Sequence, residues 1–264
     1  MIKKLFLLLL ITAFIYSFQD AGLKLHKSIP VQASYFTTDH LENAYVIKED
    51  VLQKYDTTGK VFKTFTNKSL GRITSVDASN PLKLLLFYKD FSQIIFLDNM
   101  LSMSADLVKL ADLGFEQTQL ACSSHNSGLW LYNLQNFELI RLDQNLAITQ
   151  RTGNITQITG LAINPNFLIQ YNNMVYLNSP STGILVFDVY GTYYKNIPIK
   201  GLTSFQVRDE SIFYFSNKEL KSFDMKKLSE ENYTISDSSA TMIRPEKDRL
   251  FLLKKNSLEI YQNK

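Results

Sequence analysis

A short hydrophobic strand that ends on an aromatic residue or leucine, followed by Asp and then turn residues, recurs along this chain. It reads Tyr55-Asp56-Thr57-Thr58-Gly59, Leu97-Asp98-Asn99, Leu142-Asp143-Gln144-Asn145, Phe187-Asp188-Val189-Tyr190-Gly191 and Phe223-Asp224, with an altered last copy in Leu258-Glu259-Ile260-Tyr261. The spacing is roughly 36 to 45 residues, which suits four short strands per unit. An Asp at the end of a strand accepts hydrogen bonds from backbone N–H groups one or two residues on and fixes a tight hairpin. The apolar residue before it packs between units. Helical periodicity is almost absent. Many short strands rich in Val, Ile, Leu, Phe and Tyr, separated by Asn, Asp, Ser and Gly, are the pattern of an all-β repeat fold, and the period selects a β-propeller.

Each period divides into four strands. The first covers 32–38, 44–48, 51–55 and 61–65; the second 73–78, 82–88, 93–97 and a poorer outer strand at 105–110. The third covers 118–123, 128–134, 137–142 and 147–151. The fourth opens at either 158–163 or 167–171 and continues with 174–178, 184–187 and 193–197; the fifth covers 204–207, 211–215, 219–223 and 233–235. Only three strands remain for the sixth, at 240–244, 249–254 and 257–261, while 22–29 alternates in strand fashion and belongs to no other unit. Pairing 22–29 with the strand around Glu259 completes the sixth unit and removes exposed strand edges. The expectation is a six-bladed β-propeller closed by its N-terminal strand. Seven blades stay open if the long fourth period holds two degenerate units.

The N-terminus reads Met-Ile-Lys-Lys and then an apolar run from Leu5 to Phe18. Two lysines before a run this short match the first two regions of a secretory signal, and the run falls short of the ~20 residues a membrane-crossing helix needs. We therefore expect residues 1–21 to be a signal peptide and 22–264 a single propeller domain with 22–29 as the closing strand. No integral membrane span is expected once the leader is removed, and an uncleaved anchor is the competing reading. The expected location is the periplasm or outer membrane. The single cysteine, Cys122, lies far from the hydrophobic run, so the chain lacks the residue a lipoprotein is anchored by. Cys122 reads as a small core residue. With 28 basic and 25 acidic residues interspersed, the surface is not the basic one that a phosphate backbone requires, and no nucleic acid partner is expected.

Four segments carry a resemblance: 35–39, 80–88, 91–98 and 183–191. Through them the mature chain resembles the exported six-bladed propellers of Bacteroidota-type bacteria. That resemblance implies a fold and a compartment and carries over no catalytic residues. More loosely, the chain is similar at the level of fold to the propeller subunit of the outer-membrane β-barrel assembly machine, which is a lipoprotein.

Polar loop residues give the candidate sites. His40 and His125 both fall between the first and second strands of their units, and with Asp39, Asn80 and Asn126 they outline one rim where a ligand would sit. Asp77, flanked by Val76 and Ala78 on an inner strand, is either a ligand-binding carboxylate or an acceptor for backbone donors. Metal sites show a tight local pair of ligands, and none occurs, so no metal, cofactor or catalytic residue is assigned. No phosphate-binding glycine loop or nucleophile elbow is present. Tyr190, Tyr193 and Tyr194 cluster around one turn and mark a candidate partner contact. The charged stretch 226–231 reads as a solvated loop. These features favour a non-enzymatic propeller that holds a protein partner in the cell envelope, against an enzyme or a small-ligand or metal-binding propeller with its site at the channel mouth.

Overall fold

A computed structural model describes residues 23–235 and 239–262. The expected leader at 1–21 lies outside them. Residues 34–205 form one compact unit of four sheets. They are β2–β5 (Tyr35–Thr38, Ala44–Lys48, Val51–Tyr55, Val61–Thr66), β6–β9 (Ser75–Asp77, Leu84–Tyr88, Gln93–Leu97, Val108–Lys109), β10–β13 (Thr118–Ser123, Leu129–Asn133, Glu138–Leu142, Ile148–Arg151) and β14–β17 (Phe167–Tyr171, Met174–Ser179, Gly183–Asp188, Tyr193–Ile197). Every neighbouring pair is antiparallel.

The other unit contains β18–β21 (Gln206–Arg208, Ser211–Ser216, Glu219–Asp224, Ser229–Tyr233) and the sheet of β22–β24 (Met242–Pro245, Arg249–Leu253, Ser257–Gln262). Strand β1 (Lys24–Pro30) joins the latter as its fourth strand, with Ile29 opposite Leu258 and Lys24 opposite Gln262. Six four-stranded sheets, each folded as a blade, make this chain a six-bladed β-propeller.

In the second, third and fourth sheets the middle strands hold the fold together because both of their faces are buried. On β7, Leu84, Leu86 and Tyr88 face a core shared with Tyr45, Ile47 and Leu52 of the first sheet. The alternate residues Leu85 and Phe87 face the third sheet through Leu129, Leu131, Ile140 and Leu142. On β11, Trp130 and Tyr132 pass the pattern on to Leu168, Val175, Leu177, Leu185 and Phe187 of the fourth sheet. Successive side chains alternate across a strand, so a strand buried on both faces must be apolar throughout. The outer strands obey the opposite rule: β5 and β13 are almost wholly exposed.

The Asp turns have one geometry. Asp56 Oδ1 accepts from Thr58 N at 2.8 Å and Lys60 N at 3.1 Å; Asp98 Oδ1 accepts from Met100 N at 2.8 Å and Ser102 N at 2.9 Å. Asp143 repeats this with Asn145 N and Ala147 N, and Asp188 with Tyr190 N and Thr192 N. The third residue after each Asp is left-handed, at Gly59, Leu101, Leu146 and Gly191. This is a type I turn closed by a bulge, in which the carboxylate takes up backbone donors that the turn leaves unpaired. Asp224 makes a variant with Lys226 N and Lys227 N.

Three segments depart from the sequence reading. The fourth period is one sheet beginning at Phe167; 155–159 is instead a one-turn helix, α1 (Ile155–Thr159), capped by Asn154 and ended by left-handed Gly160. Ile155 is buried, which explains the apolar signal there. The outer strand of the second sheet shrinks to Val108–Lys109 and runs into a 3-10 turn at Leu110–Leu113. In the fifth sheet the outer strand is Ser229–Tyr233, so part of the stretch read as a solvated loop is strand. Glu230 pairs there with Lys221 at 3.0 Å and accepts the Tyr214 hydroxyl. An outer strand needs no apolar residues, so composition does not mark it.

The turn carboxylates make stability acid-sensitive. Burial opposes ionisation of Asp56, but the Thr58 hydroxyl and the Lys60 and Thr58 amides outweigh it and hold the carboxyl below its usual range. At Asp224 burial is likewise outweighed by the Lys227 and Lys226 amides, and Glu230 is depressed by Tyr214 and then Lys221. A depressed carboxyl stabilises the fold above its unfolded value, and that contribution vanishes as pH falls through the folded value. The melting temperature should therefore hold steady from neutral pH to about 5 and drop below about 4. Asp56→Asn should melt lower than wild type at pH 7, with the difference shrinking in acid; a constant difference would show that the carboxylate charge is not what holds the turn.

Candidate functional site

Three first strands, β6, β10 and β14, bring the β6–β7 loop, the β10–β11 hairpin and Gln170 together. Between them lies an open cavity of about 280 Å³, lined among others by Ser79, Asn80, Lys83, Ser123, His125 and Asn126. Asn80, His125 and Asn126 were expected at one rim, and all three line this cavity. Asp77 stands just behind it. Its Oδ1 accepts from Ser79 N at 2.9 Å and its Oδ2 from Ser123 N at 2.7 Å, so the carboxylate ties the two lining segments together as a backbone acceptor.

Asp39 and His40 are not part of this lining. Asp39 is 2% exposed and fully engaged, accepting from Leu41 N, Asn43 N, Asn43 Nδ2 and the Tyr45 hydroxyl at 2.8–3.0 Å. Burial and the Asp39 charge push the Tyr45 hydroxyl far above its ordinary value. Nearby, Lys54 Nζ donates to Asn99 O at 2.9 Å and lies over the Tyr45 and Phe62 rings. Asp39 thus anchors a turn, and Lys54 bridges two blades. His40 is exposed beside it.

The β10–β11 hairpin is built by its sequence. Asn126 and Ser127 both adopt positive φ, 53° and 56°, and Gly128 N donates to His125 O at 3.2 Å, the two-residue turn that suits antiparallel strands. Gly128 is required by crowding: a Cβ there would stand 2.4 Å from Leu142 O and 3.2 Å from an Arg141 guanidinium nitrogen. Arg141, only 7% exposed, holds the hairpin from behind. Its Nε donates to Ser124 Oγ at 2.9 Å, and its two terminal nitrogens donate to Thr149 Oγ1 at 2.8 Å and His125 O at 2.9 Å.

Gln170 joins these parts. Its Oε1 accepts from Trp130 Nε1 at 2.9 Å and Ser124 Oγ at 2.8 Å, while Nε2 donates to Asn172 O at 3.0 Å. The indole N–H can only donate and the carbonyl can only accept, so the amide orientation is determined. Nε2 also lies 3.3 Å from His125 Nδ1, which makes Nδ1 the acceptor and leaves the imidazole proton on Nε2. Partial burial and then the Arg141 charge hold His125 below its ordinary value, so it is neutral at pH 7. Cys122, behind the lining, is buried and reduced; burial and then the Asp77 charge push its thiol up, the opposite of a reactive cysteine. Neither Gln170 nor Arg141 stood out in the sequence, because each lies on a strand among apolar neighbours. Among the described residues no three His, Cys, Asp or Glu side chains gather as metal ligands.

The tyrosines separate. Tyr190 and Tyr194 are 70% and 64% exposed, whereas Tyr193 packs edge-on against Phe187 with centroids 5.6 Å apart.

No protein-family model and no curated protein matches this chain. Solved structures do. Virginiamycin B lyase from Staphylococcus aureus is 12% identical with a TM-score of 0.57 over 86% of this chain and 79% of its own. BamB from Moraxella catarrhalis is 11% identical with a TM-score of 0.52, over 91% of this chain and 99% of its own. BBS1N, solved in complex with ARL6DN, is 14% identical with a TM-score of 0.57, over 92% and 97%. They share the propeller fold. At such identities the likeness extends no further, and BamB matches the fold-level similarity drawn from the sequence.

Gly128→Ala should lower stability by about 1–3 kcal/mol in urea denaturation, because its Cβ meets a backbone oxygen that cannot step aside. The single tryptophan, Trp130, should report the same change through altered emission, since the hairpin and Trp130 meet at Gln170. Unchanged stability would mean that the hairpin shifts freely.

Proposed function

We propose that this protein is a non-enzymatic, exported β-propeller that holds a protein partner in the cell envelope. The observation that carries the reading is the pair Tyr190 and Tyr194, the two most exposed aromatic side chains among the described residues. Tyr190 projects from a turn fixed by Asp188, and Tyr194 sits on outer strand β17, so both are presented on rigid backbone. Rigid, exposed tyrosines are favoured contact residues because they bury a large area with little loss of side-chain freedom. Ile148 on β13 and Val61 and Phe62 on β5 add exposed apolar side chains on other outer strands. BBS1N, solved with ARL6DN, supplies a precedent for a similar fold holding a protein.

Export rests on the lysine-led hydrophobic N-terminus, and among the described residues no helix is long and apolar enough to cross a membrane. A leader ending near residue 21, a periplasmic or outer-membrane location without a lipid anchor, and kinship with the exported propellers of Bacteroidota-type bacteria complete the proposal.

Crosslinked pull-down of the native protein from envelope fractions, read by mass spectrometry, tests it. A stoichiometric protein partner is expected, lost in the double variant Tyr190→Ser/Tyr194→Ser while the melting temperature is retained. A partner held equally well by the double variant would overturn the assignment of the contact. A monomer without a partner would overturn the function.

A further inference from the structure

The cavity beside the β10–β11 hairpin has a chemical bias. Its lining offers donors and no free carboxylate. Asp77 is bonded to two lining segments, and both of its oxygens already accept backbone N–H groups. Lys83 lines the cavity with its Nζ 4.4 Å from the Phe96 centroid and 3.4 Å from Ser127 O, a long contact that leaves most of its donor capacity unspent. The hydroxyls of Ser79, Ser123 and Ser127 and the amides of Asn80 and Asn126 add neutral donors.

The second observation is Arg141. This nearly buried guanidinium spends its hydrogen bonds on the neutral oxygens of Ser124, Thr149 and His125. Buried charges ordinarily pair with an opposite charge, because the interior solvates them poorly. Here the guanidinium is one hydrogen bond behind the lining, and the acidic group that acts on it, Asp143, belongs to the outer Asp turn. The cavity therefore sits in a positive field from Lys83 and Arg141, only partly offset by Asp77.

We propose that this cavity is a binding site for a small hydroxylated organic anion, one carboxylate or phosphate on a polar body. The anionic group sits against Lys83 and the serine hydroxyls, and the body contacts Asn80, Asn126 and the Phe96 ring edge. The volume of about 280 Å³ admits a molecule of monosaccharide size. This proposal is independent of the tyrosine contact and stands or falls separately.

Trp130 provides the readout, since its indole N–H is bonded to Gln170, which lines the cavity. The full protein would be titrated with glucuronate, inorganic phosphate and glucose to about 10 mM, following Trp130 emission. A saturable change with glucuronate but not glucose is expected; phosphate producing the same change identifies charge as the main determinant, and phosphate without effect shows that the hydroxylated body is needed too. Lys83→Gln should weaken glucuronate binding at least about tenfold, and Lys83→Arg should retain it. Equal responses to glucose and glucuronate, no response to either anion, or wild-type affinity in Lys83→Gln with an unchanged melting temperature would each overturn the proposal.

Discussion

The middle strands of the second, third and fourth sheets are buried on both faces, and much of the structure around them follows from that constraint. On β7, Leu84, Leu86 and Tyr88 enter one inter-sheet core while Leu85 and Phe87 enter the next. A sheet buried on both sides cannot be stable alone, because each face leaves water only when a neighbouring sheet covers it. Burying a side chain such as Leu or Phe contributes about 1.5–3 kcal/mol, so each inter-sheet core outweighs any single turn or ion pair. The same requirement pushes polar chemistry away from the blade centres. Most of it sits at the ends of strands, in hairpins and on outer strands, and Lys54, Arg141 and Ser222 are exceptions on middle strands.

The Asp turns show how little of that periphery is left to chance. Four of them use one carboxylate oxygen for two backbone donors and a left-handed residue at the same offset. Glycine occupies the left-handed position at Gly59 and Gly191, but leucine does at Leu101 and Leu146. A leucine there is strained, and the compensation differs from site to site. Leu101 is buried in the core between the first two sheets, and Leu146 packs against the core between the second and third. Core contact outweighs local backbone preference at both. The motif therefore tolerates degeneracy as long as Asp remains, which is why the repeat is legible through a variable sequence.

What the sequence revealed and what it concealed divide along the same line. The strand–Asp–turn period located the blades because it combines a backbone requirement with an apolar one, and the unassigned segment before Pro30 pointed to the strand that pairs with β24. The outer strand of the fifth sheet was expected at 233–235 and runs Ser229–Tyr233, because solvent imposes no pattern on it; Glu230 and Glu231 are as acceptable in a strand as in a loop. Of the two openings left for the fourth period, 167–171 is the strand, while 158–163 overlaps the end of helix α1, whose Asn154 cap and Gly160 stop are the local cues against a strand there. In the candidate site, Asn80, His125 and Asn126 were found as loop polar residues. Asp39 was misplaced, since one carboxylate in a turn looks the same whether it faces a ligand or four protein donors. Arg141 and Gln170 were invisible, because their significance comes from neighbours 16 to 46 residues away in the chain.

The buried guanidinium is the point where architecture and binding chemistry meet. Arg141 occupies a central-strand position opposite Trp130, flanked along its strand by the buried Ile140 and Leu142. Its hydrogen bonds to Ser124 and His125 stiffen a hairpin that already has a tight turn and an obligatory glycine. Stiffness alone does not require a charge; a neutral donor at the same place would support the hairpin with a smaller desolvation cost. What only a cation adds is a field directed at the adjacent cavity. After burial, it is the second cause that holds His125 below its ordinary value, and it favours a negative ligand group beside Lys83. Lys54, the other buried cation bonded to a neutral oxygen, spans two blades and lies over two aromatic rings, whereas Arg141 stands one hydrogen bond behind a cavity that a counter-charge can enter.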